Sequence, residues 1–216
     1  MGIGSTPDFA IGQRALLVQG EPGNVLWDCI SLIDEATIDL IEGLGGLVAI
    51  AISHPHYYTT MVEWSHAFGR SPIYLHEADR QWVQRPDAVI EFWSGATRTI
   101  RDGLTLVRCG GHFAGGAVLH WAAGAAGAGA LLTGDILQVT MDRKYVSFMR
   151  SYPNMWPLSA ASVEAIARAV EPLPYDRIYG AWWDRHIDAA ARTAVEQSVQ
   201  IYLRSLERAQ PDEQET

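Results

Sequence analysis

The stretch Leu47-Val-Ala-Ile-Ala-Ile52 contains six consecutive apolar residues, and Ser53-His54-Pro55-His56 follows it directly. A short apolar run of this length predicts a strand that is buried on both faces of a sheet. The two histidines lie at i and i+2, so both can face one ion if the loop curls, and Pro55 stiffens that loop. Because α/β sheets bind ligands beyond the ends of their strands, this segment predicts an α/β fold with a candidate metal site.

Two further strand ends carry residue types that bind metals. His112 lies within the glycine-rich segment 110–116, between two predicted strands, and Asp135 follows the apolar run Leu131-Leu-Thr133 and a glycine. Three imidazoles and one carboxylate are the ligand types that zinc or iron prefers. The sequence therefore gives four candidate metal ligands: His54, His56, His112 and Asp135.

The rest of the chain indicates two sheets between helices. The first half alternates apolar runs with helical segments, beginning with a hairpin at 15–28. The second half has closely spaced short strands at 97–133, which suggest an antiparallel sheet, and amphipathic helices at 159–170 and 187–208. Helices outside and two sheets inside predict a four-layer αββα sandwich.

Length and composition fit one domain with a small-molecule substrate. The chain has 216 residues, and we expect a lead-in at 1–13, a single domain at 14–209 and a disordered acidic tail at 210–216. The net charge of −9 argues against nucleic acid or an anionic membrane as the partner. Two cysteines cannot form a disulfide framework. With no evident signal peptide and no apolar run long enough to span a bilayer, we expect a cytoplasmic protein.

The order and spacing of these segments resemble the metallo-β-lactamase superfamily. Its members open with a hairpin, carry His-x-His-x-Asp-His after a buried strand, then Gly-His-x-x-Gly, then Gly-Asp after another strand. In this chain the matching residues are His54 and His56, Gly111-His112-Phe113-Ala114-Gly115, and Gly134-Asp135. The resemblance covers about residues 14–190. It implies a metal-dependent hydrolase of an ester, thioester, lactone or related acyl bond, whereas β-lactam hydrolysis is not indicated by any lactam-specific feature.

The departures from the family pattern lie at the second metal. The family's Asp-His pair is Tyr58-Thr59 here, and Ala181 stands where the family has a late histidine. The resemblance then implies one metal ion, most simply zinc, with Asp135 left as the residue that orients the attacking water. Tyr58 is the second candidate catalytic residue, because its phenol can donate a hydrogen bond to an oxyanion. Its alternative role is to pack beneath the helix that follows.

Other outcomes stay open at this point. Two histidines and Asp135 could hold iron in a facial-triad-like arrangement, as in an oxygenase-type enzyme on the same fold. The chain could also be a binding protein that keeps the fold without a metal. Among the other histidines, His76 and His186 are possible neighbours of the site, whereas His66 and His120 are expected to be structural or exposed.

Overall fold

The computed structural model describes residues 1–208, which form two six-stranded sheets between helices. The first sheet follows chain order, and its strands are β1 (Gly2–Ile3), β2 (Ala15–Val18), β3 (Asn24–Trp27), β4 (Leu47–Ala51), β5 (Ile73–His76) and β6 (Ile90–Trp93). Strands β1 to β3 pair antiparallel, and β3 to β6 pair parallel. Three consecutive parallel pairings place the ends of these strands at one edge of the sheet, where His54 follows β4.

The second sheet is built from the later part of the chain. Its first four strands are β7 (Thr97–Arg101), β8 (Leu104–Arg108), β9 (Ala117–Trp121) and β10 (Ala130–Gly134). Two short hairpins follow, formed by β11 (Gln138–Val139) with β12 (Val146–Ser147) and by β13 (Met149–Ser151) with β14 (Trp156–Pro157). The sheet is completed by β15 (Arg177–Gly180) and β16 (His186–Ile187), in the order β16-β15-β10-β9-β8-β7.

In residues 1–208, four α-helices cover the outer faces of the two sheets. They are α1 (Glu35–Gly43), α2 (Met61–Ala67), α3 (Ala160–Val170) and α4 (Ala191–Arg208). The side chains of Leu26 and Ile50 on the first sheet pack with those of α1 and α2, whereas α3 and α4 pack on the second sheet. A third buried cluster, which includes Trp27, Ala51 and Leu119, fills the space between the sheets. The predicted four-layer αββα sandwich is therefore confirmed.

The structure corrects one boundary of the sequence interpretation. The last helix begins at Ala191 rather than at residue 187, because Ile187 pairs with Ile178 in β16. The predicted antiparallel pairing of the strands at 97–133 is confirmed for β7 to β10, and β15 then adds to this sheet parallel to β10. Residues 1–13 contribute the edge strand β1 to the first sheet. The expected tail at 210–216 lies outside the described residues.

Candidate metal centre

His54 and His56 are placed by the loop that follows β4. A 3-10 turn at Pro55–Tyr57 curls the chain at this point, so both imidazoles turn toward the same space. The Nδ1 of His54 lies 2.8 Å from the Oγ of Ser53, which leaves its Nε2 facing His56. The backbone N–H of Ser53 donates to Oδ1 of Asp28 across 2.7 Å, so the ring of His54 rests on a buried hydrogen-bonded support.

His112 enters the same space from the loop between β8 and β9. Gly111 adopts a φ of +81°, and a Cβ there would lie 2.7 Å from Cδ1 of Ile166, so the loop passes too close to α3 for a larger residue. The Nδ1–H of His112 donates to the carbonyl oxygen of Met149 across 3.0 Å. That bond selects the tautomer whose Nε2 carries a lone pair toward His56.

Asp135 comes from the turn after β10. Gly134 lies directly against Ser53, which brings the ends of β4 and β10 together across the two sheets. Oδ2 of Asp135 lies 3.6 Å from Nε2 of His54, and Oδ1 accepts a hydrogen bond from the indole Nε1 of Trp182 across 3.3 Å. Each oxygen of the Asp135 carboxylate thus has a contact that helps to fix the orientation of the side chain.

The donor atoms of these four residues fit a single metal ion. One ligand atom from each of His54, His56, His112 and Asp135 lies within 4.8 Å of all the others. Nδ1 of His56 is 3.1 Å from Nε2 of His54 and 3.4 Å from Nε2 of His112. Ligands bound at ~2.1 Å around a tetrahedral zinc ion lie about 3.4 Å apart, so these separations are close to those of such a site.

The electrostatics of the cluster also suit a cation. Burial lowers the pKa values of His54, His56 and His112, which favours the neutral imidazoles that bind metals. Burial acts to raise the pKa of Asp135, but the hydrogen bond and charge of His54, together with His112, outweigh it and lower that pKa. The site therefore presents three neutral nitrogen donors and one carboxylate.

Comparisons with solved structures show which proteins share this fold. The chain is similar to the metallo-β-lactamase family protein TTHA1429 from Thermus thermophilus, with a TM-score of 0.60 and 16% identity, covering 96% of this chain and 79% of the other. It is also similar to the BLEG-1 B3 metallo-β-lactamase, with a TM-score of 0.64 and 17% identity, covering 89% of this chain and 94% of the other. The chain therefore has the metallo-β-lactamase fold.

Two other relatives extend the comparison. TTHA1623, solved in a di-iron-bound form, matches this metallo-β-lactamase fold protein with a TM-score of 0.63 and 20% identity, over 90% of this chain and 96% of the other. The Bacillus subtilis (strain 168) protein YmaE, described as uncharacterized, is 53% identical over 204 residues, which are 94% of this chain and 74% of YmaE. No protein-family model matches the sequence.

Tyr57 and Tyr58 follow the two histidines, and Tyr58 is the residue that the resemblance aligns with the aspartate of the second metal site. Tyr57 is fully buried, and its ring packs against His54 with the centroids 4.6 Å apart. Burial raises the pKa of Tyr57 well above its usual value, and the nearby carboxylate of Asp135 raises it further. Tyr58 lines a separate groove beside Met61 and Trp82. The tyrosine that packs on a candidate ligand is therefore Tyr57, and the catalytic role of Tyr58 stays a prediction.

The remaining histidines of this metallo-β-lactamase fold protein are engaged elsewhere. His76 accepts a hydrogen bond from the N–H of Ala78, and its other ring nitrogen lies 3.1 Å from the carbonyl of Gly95. His186 contacts Arg143 and Asp188, His66 contacts Asp87, and His120 contacts the carbonyl of Pro174. Among residues 1–208, the four-residue cluster is the group found with metal-binding geometry.

Three groups that support the candidate ligands were not predicted from the sequence. They are the indole of Trp182, the hydroxyl of Ser53 and the buried carboxyl of Asp28. Burial raises the pKa of Asp28 to about 8, against the lowering effect of its hydrogen bond with Ser53. Asp28 follows β3 and has a φ of +62°, which no periodicity in the sequence signals. Its position directly after an apolar strand, like that of Asp135, is the local signal that marks it in the sequence.

Proposed function

We propose that this protein is a metal-dependent hydrolase that cleaves an ester, thioester, lactone or related acyl bond of a small molecule. The observation that carries the proposal is the convergence of His54, His56, His112 and Asp135 to within 4.8 Å. We further propose that the site holds one ion, most simply zinc. Three protein nitrogens with a carboxylate beside them form the donor set of a catalytic zinc site.

The residues around the site have separate parts in this proposal. When bound, zinc acts as a Lewis acid toward a carbonyl and lowers the pKa of water toward ~7. Asp135 would orient the attacking water, because its lowered pKa keeps the carboxylate ionised and its Oδ2 lies 3.6 Å from Nε2 of His54, beside the cluster. The ring of Phe113 covers one side of the site, with its centroid 5.0 Å from that of His56, and excludes water there.

The proposal of one ion rests on the groups that surround Asp135. Oδ1 of Asp135 is already bound to the indole of Trp182, which cannot be a metal ligand. Tyr58 lines a groove whose lining includes none of the four candidate ligands, and Ala181 offers no side-chain donor. A second ion would therefore lack the ligands that the family's Asp-His pair and late histidine supply.

Measurements of metal content and of acyl hydrolysis together test the proposed function. We expect about one zinc per chain by mass spectrometry, and hydrolysis of a panel of p-nitrophenyl esters, aryl thioesters and homoserine lactones. His112→Ala should lose both metal and turnover. His66→Ala is the matched control, because His66 is an exposed histidine paired with Asp87, and it should keep both. Two ions per chain would contradict the one-metal proposal, and a metal-loaded protein inactive on the whole panel would contradict the hydrolase proposal.

Iron is the second candidate metal. TTHA1623, which shares the fold, was solved in a di-iron-bound form. If the purified protein contains iron and consumes oxygen with a thiol or persulfide substrate, the oxygenase-type reaction replaces the hydrolase. Oxygen-electrode measurements on the iron-loaded and zinc-loaded protein separate the two reactions.

A further inference from the structure

A groove of about 770 Å³ opens beside the metal centre and runs to the amino end of α3. We call it the α3 groove. Its walls differ in chemistry. One set of lining residues is apolar, namely Trp82, Phe113, Pro157 and Leu158, and the other is polar, namely Gln81, Arg150, Ser159 and Ser162. His112 lines the groove as well, so a molecule bound there lies next to the proposed metal ligands.

The polar wall is connected to the metal centre through β13. The carbonyl of Met149 accepts the hydrogen bond from Nδ1–H of His112, and Arg150 is the next residue. Consecutive Cα atoms are about 3.8 Å apart, so the strand that orients a metal ligand also fixes where the arginine begins. The backbone of Arg150 is therefore fixed next to the residue that orients His112, and the arginine lies beside the site.

The guanidinium of Arg150 is available for a ligand. Arg150 is exposed, and within residues 1–208 its guanidinium makes no hydrogen bond or ion pair with another side chain. Two other arginines close to the groove's lining residues are engaged: Arg85, which shares a neighbouring groove with Trp82, pairs with Glu63, and Arg108 donates to the carbonyl of Ala114. Of the residues that line the α3 groove in the described chain, Arg150 alone carries a fixed positive charge. In a protein with a net charge of −9, this local cation favours an anionic ligand.

The apolar wall offers a surface for a hydrophobic group. Trp82 is 47% exposed and meets the ring of Phe113 edge-on, with the centroids 5.7 Å apart. Phe113 in turn covers His56 and His112, so the aromatic surface continues from the metal centre to the groove. An exposed tryptophan in a cleft supplies a large flat contact area for a ring or an acyl chain.

We propose that the α3 groove binds a carboxylate-bearing acyl substrate, with the carboxylate on Arg150 and the apolar part against Trp82. This inference rests on the proposed hydrolase function and names its substrate class. A guanidinium matches a carboxylate through two parallel hydrogen bonds. A phosphate dianion would carry about twice the charge, and the groove's single arginine suits a monoanion better.

Binding of two matched probes tests the proposal without relying on catalysis. The probes are 4-phenylbutyrate and 4-phenylbutanamide, which differ only in the charged group. Titrations followed by tryptophan fluorescence and calorimetry use the metal-free protein first, so that the carboxylate cannot bind a metal ion. We expect the wild type to bind the carboxylate about three- to tenfold more tightly than the amide, as a bidentate pair at a solvent-exposed arginine would give.

Three variants locate that preference. Arg150→Gln should bind the two probes about equally, and Arg150→Lys should keep only part of the preference because lysine lacks the planar fork. Arg168→Gln is the control, because Arg168 is an exposed arginine on α3 paired with Glu164, and it should behave as the wild type. In addition, Trp82→Ala should weaken both probes by a similar factor.

The outcomes separate this inference from the proposed reaction. If the wild type does not prefer the carboxylate, or if Arg150→Gln keeps the preference, the substrate class is wrong even when the protein hydrolyses neutral esters. If the preference and its loss in Arg150→Gln are observed but no acyl substrate is cleaved, the binding site stands and the hydrolase proposal fails.

Discussion

The indole Nε1–H of Trp182 donates a hydrogen bond to Oδ1 of Asp135 across 3.3 Å, while Oδ2 of the same carboxylate faces His54 at 3.6 Å. A tryptophan that follows β15 thus holds the carboxylate from the side opposite the histidines. In doing so it occupies the oxygen that could otherwise serve a second ion. This contact links the orientation of the proposed ligand to the number of metals at the site.

Replacing Trp182 by phenylalanine should weaken zinc binding by about 10- to 100-fold, the usual effect of losing a partner that orients a ligand. The aromatic volume is largely kept, so the loss comes from the freed Oδ1 of Asp135. Affinity is measured by competition with a chromophoric chelator. Trp183→Phe is the control, because Trp183 is 47% exposed, and it should bind zinc as the wild type does. Equal affinities for both variants would show that the indole does not orient Asp135.

The loop that carries His112 should be intolerant of a side chain at Gly111. An alanine Cβ there would approach Cδ1 of Ile166 to 2.7 Å at a φ of +81°, so Gly111→Ala should destabilise the fold by about 2–4 kcal/mol and displace His112. Gly69→Ala has a similar φ of +66° with open space around it. It should cost only about 1–2 kcal/mol and leave zinc affinity unchanged. Urea unfolding and metal titration of both variants separate the steric effect from the backbone effect.

The fold and the proposed ligands could be predicted because local sequence encodes them. The apolar run at 47–52 specified β4, and histidines or an aspartate directly after strands marked the ends that converge. The same local reasoning failed at 187–190, where an alanine-rich segment favours a helix. There, pairing of Ile187 with Ile178 and a φ of +55° at Ala190 override the helix propensity.

The groups that orient the ligands could not be predicted, because their contacts are distant along the chain. Trp182 and Asp135 are 47 residues apart, and His112 and Met149 are 37 apart. No periodicity or motif connects such pairs. The short hairpin β13–β14, which holds His112 and begins the α3 groove, has no alternating apolar pattern that would mark it as a sheet.

Asp28 should make the stability of the metal-free protein depend on pH. Burial raises its pKa in the folded chain to about 8 from an ordinary value near 3.8, so the folded state holds a proton that the unfolded state releases. This group's contribution therefore lowers the free energy of unfolding as pH rises from about 4 to about 8. Asp28→Asn removes that contribution, so the variant should gain stability relative to the wild type across this range. Urea unfolding at pH 5 and pH 8 checks the sign, and a gain that shrinks with pH would contradict it.

Zinc should stabilise the folded protein against heat only when the histidine cluster is intact. A ligand present at 100 times its Kd adds about 2.7 kcal/mol of stability, which corresponds to a rise in Tm of roughly 5–10 °C for a chain of this size. His56→Ala removes the nitrogen nearest to both other imidazoles, at 3.1 and 3.4 Å, and should abolish the shift. His186→Ala removes a histidine that contacts Arg143 and Asp188 instead, so it should show the full wild-type shift. Differential scanning calorimetry of the chelator-treated proteins, with and without added zinc, measures the shift. A shift retained in His56→Ala but lost in His186→Ala would move the metal site away from the cluster.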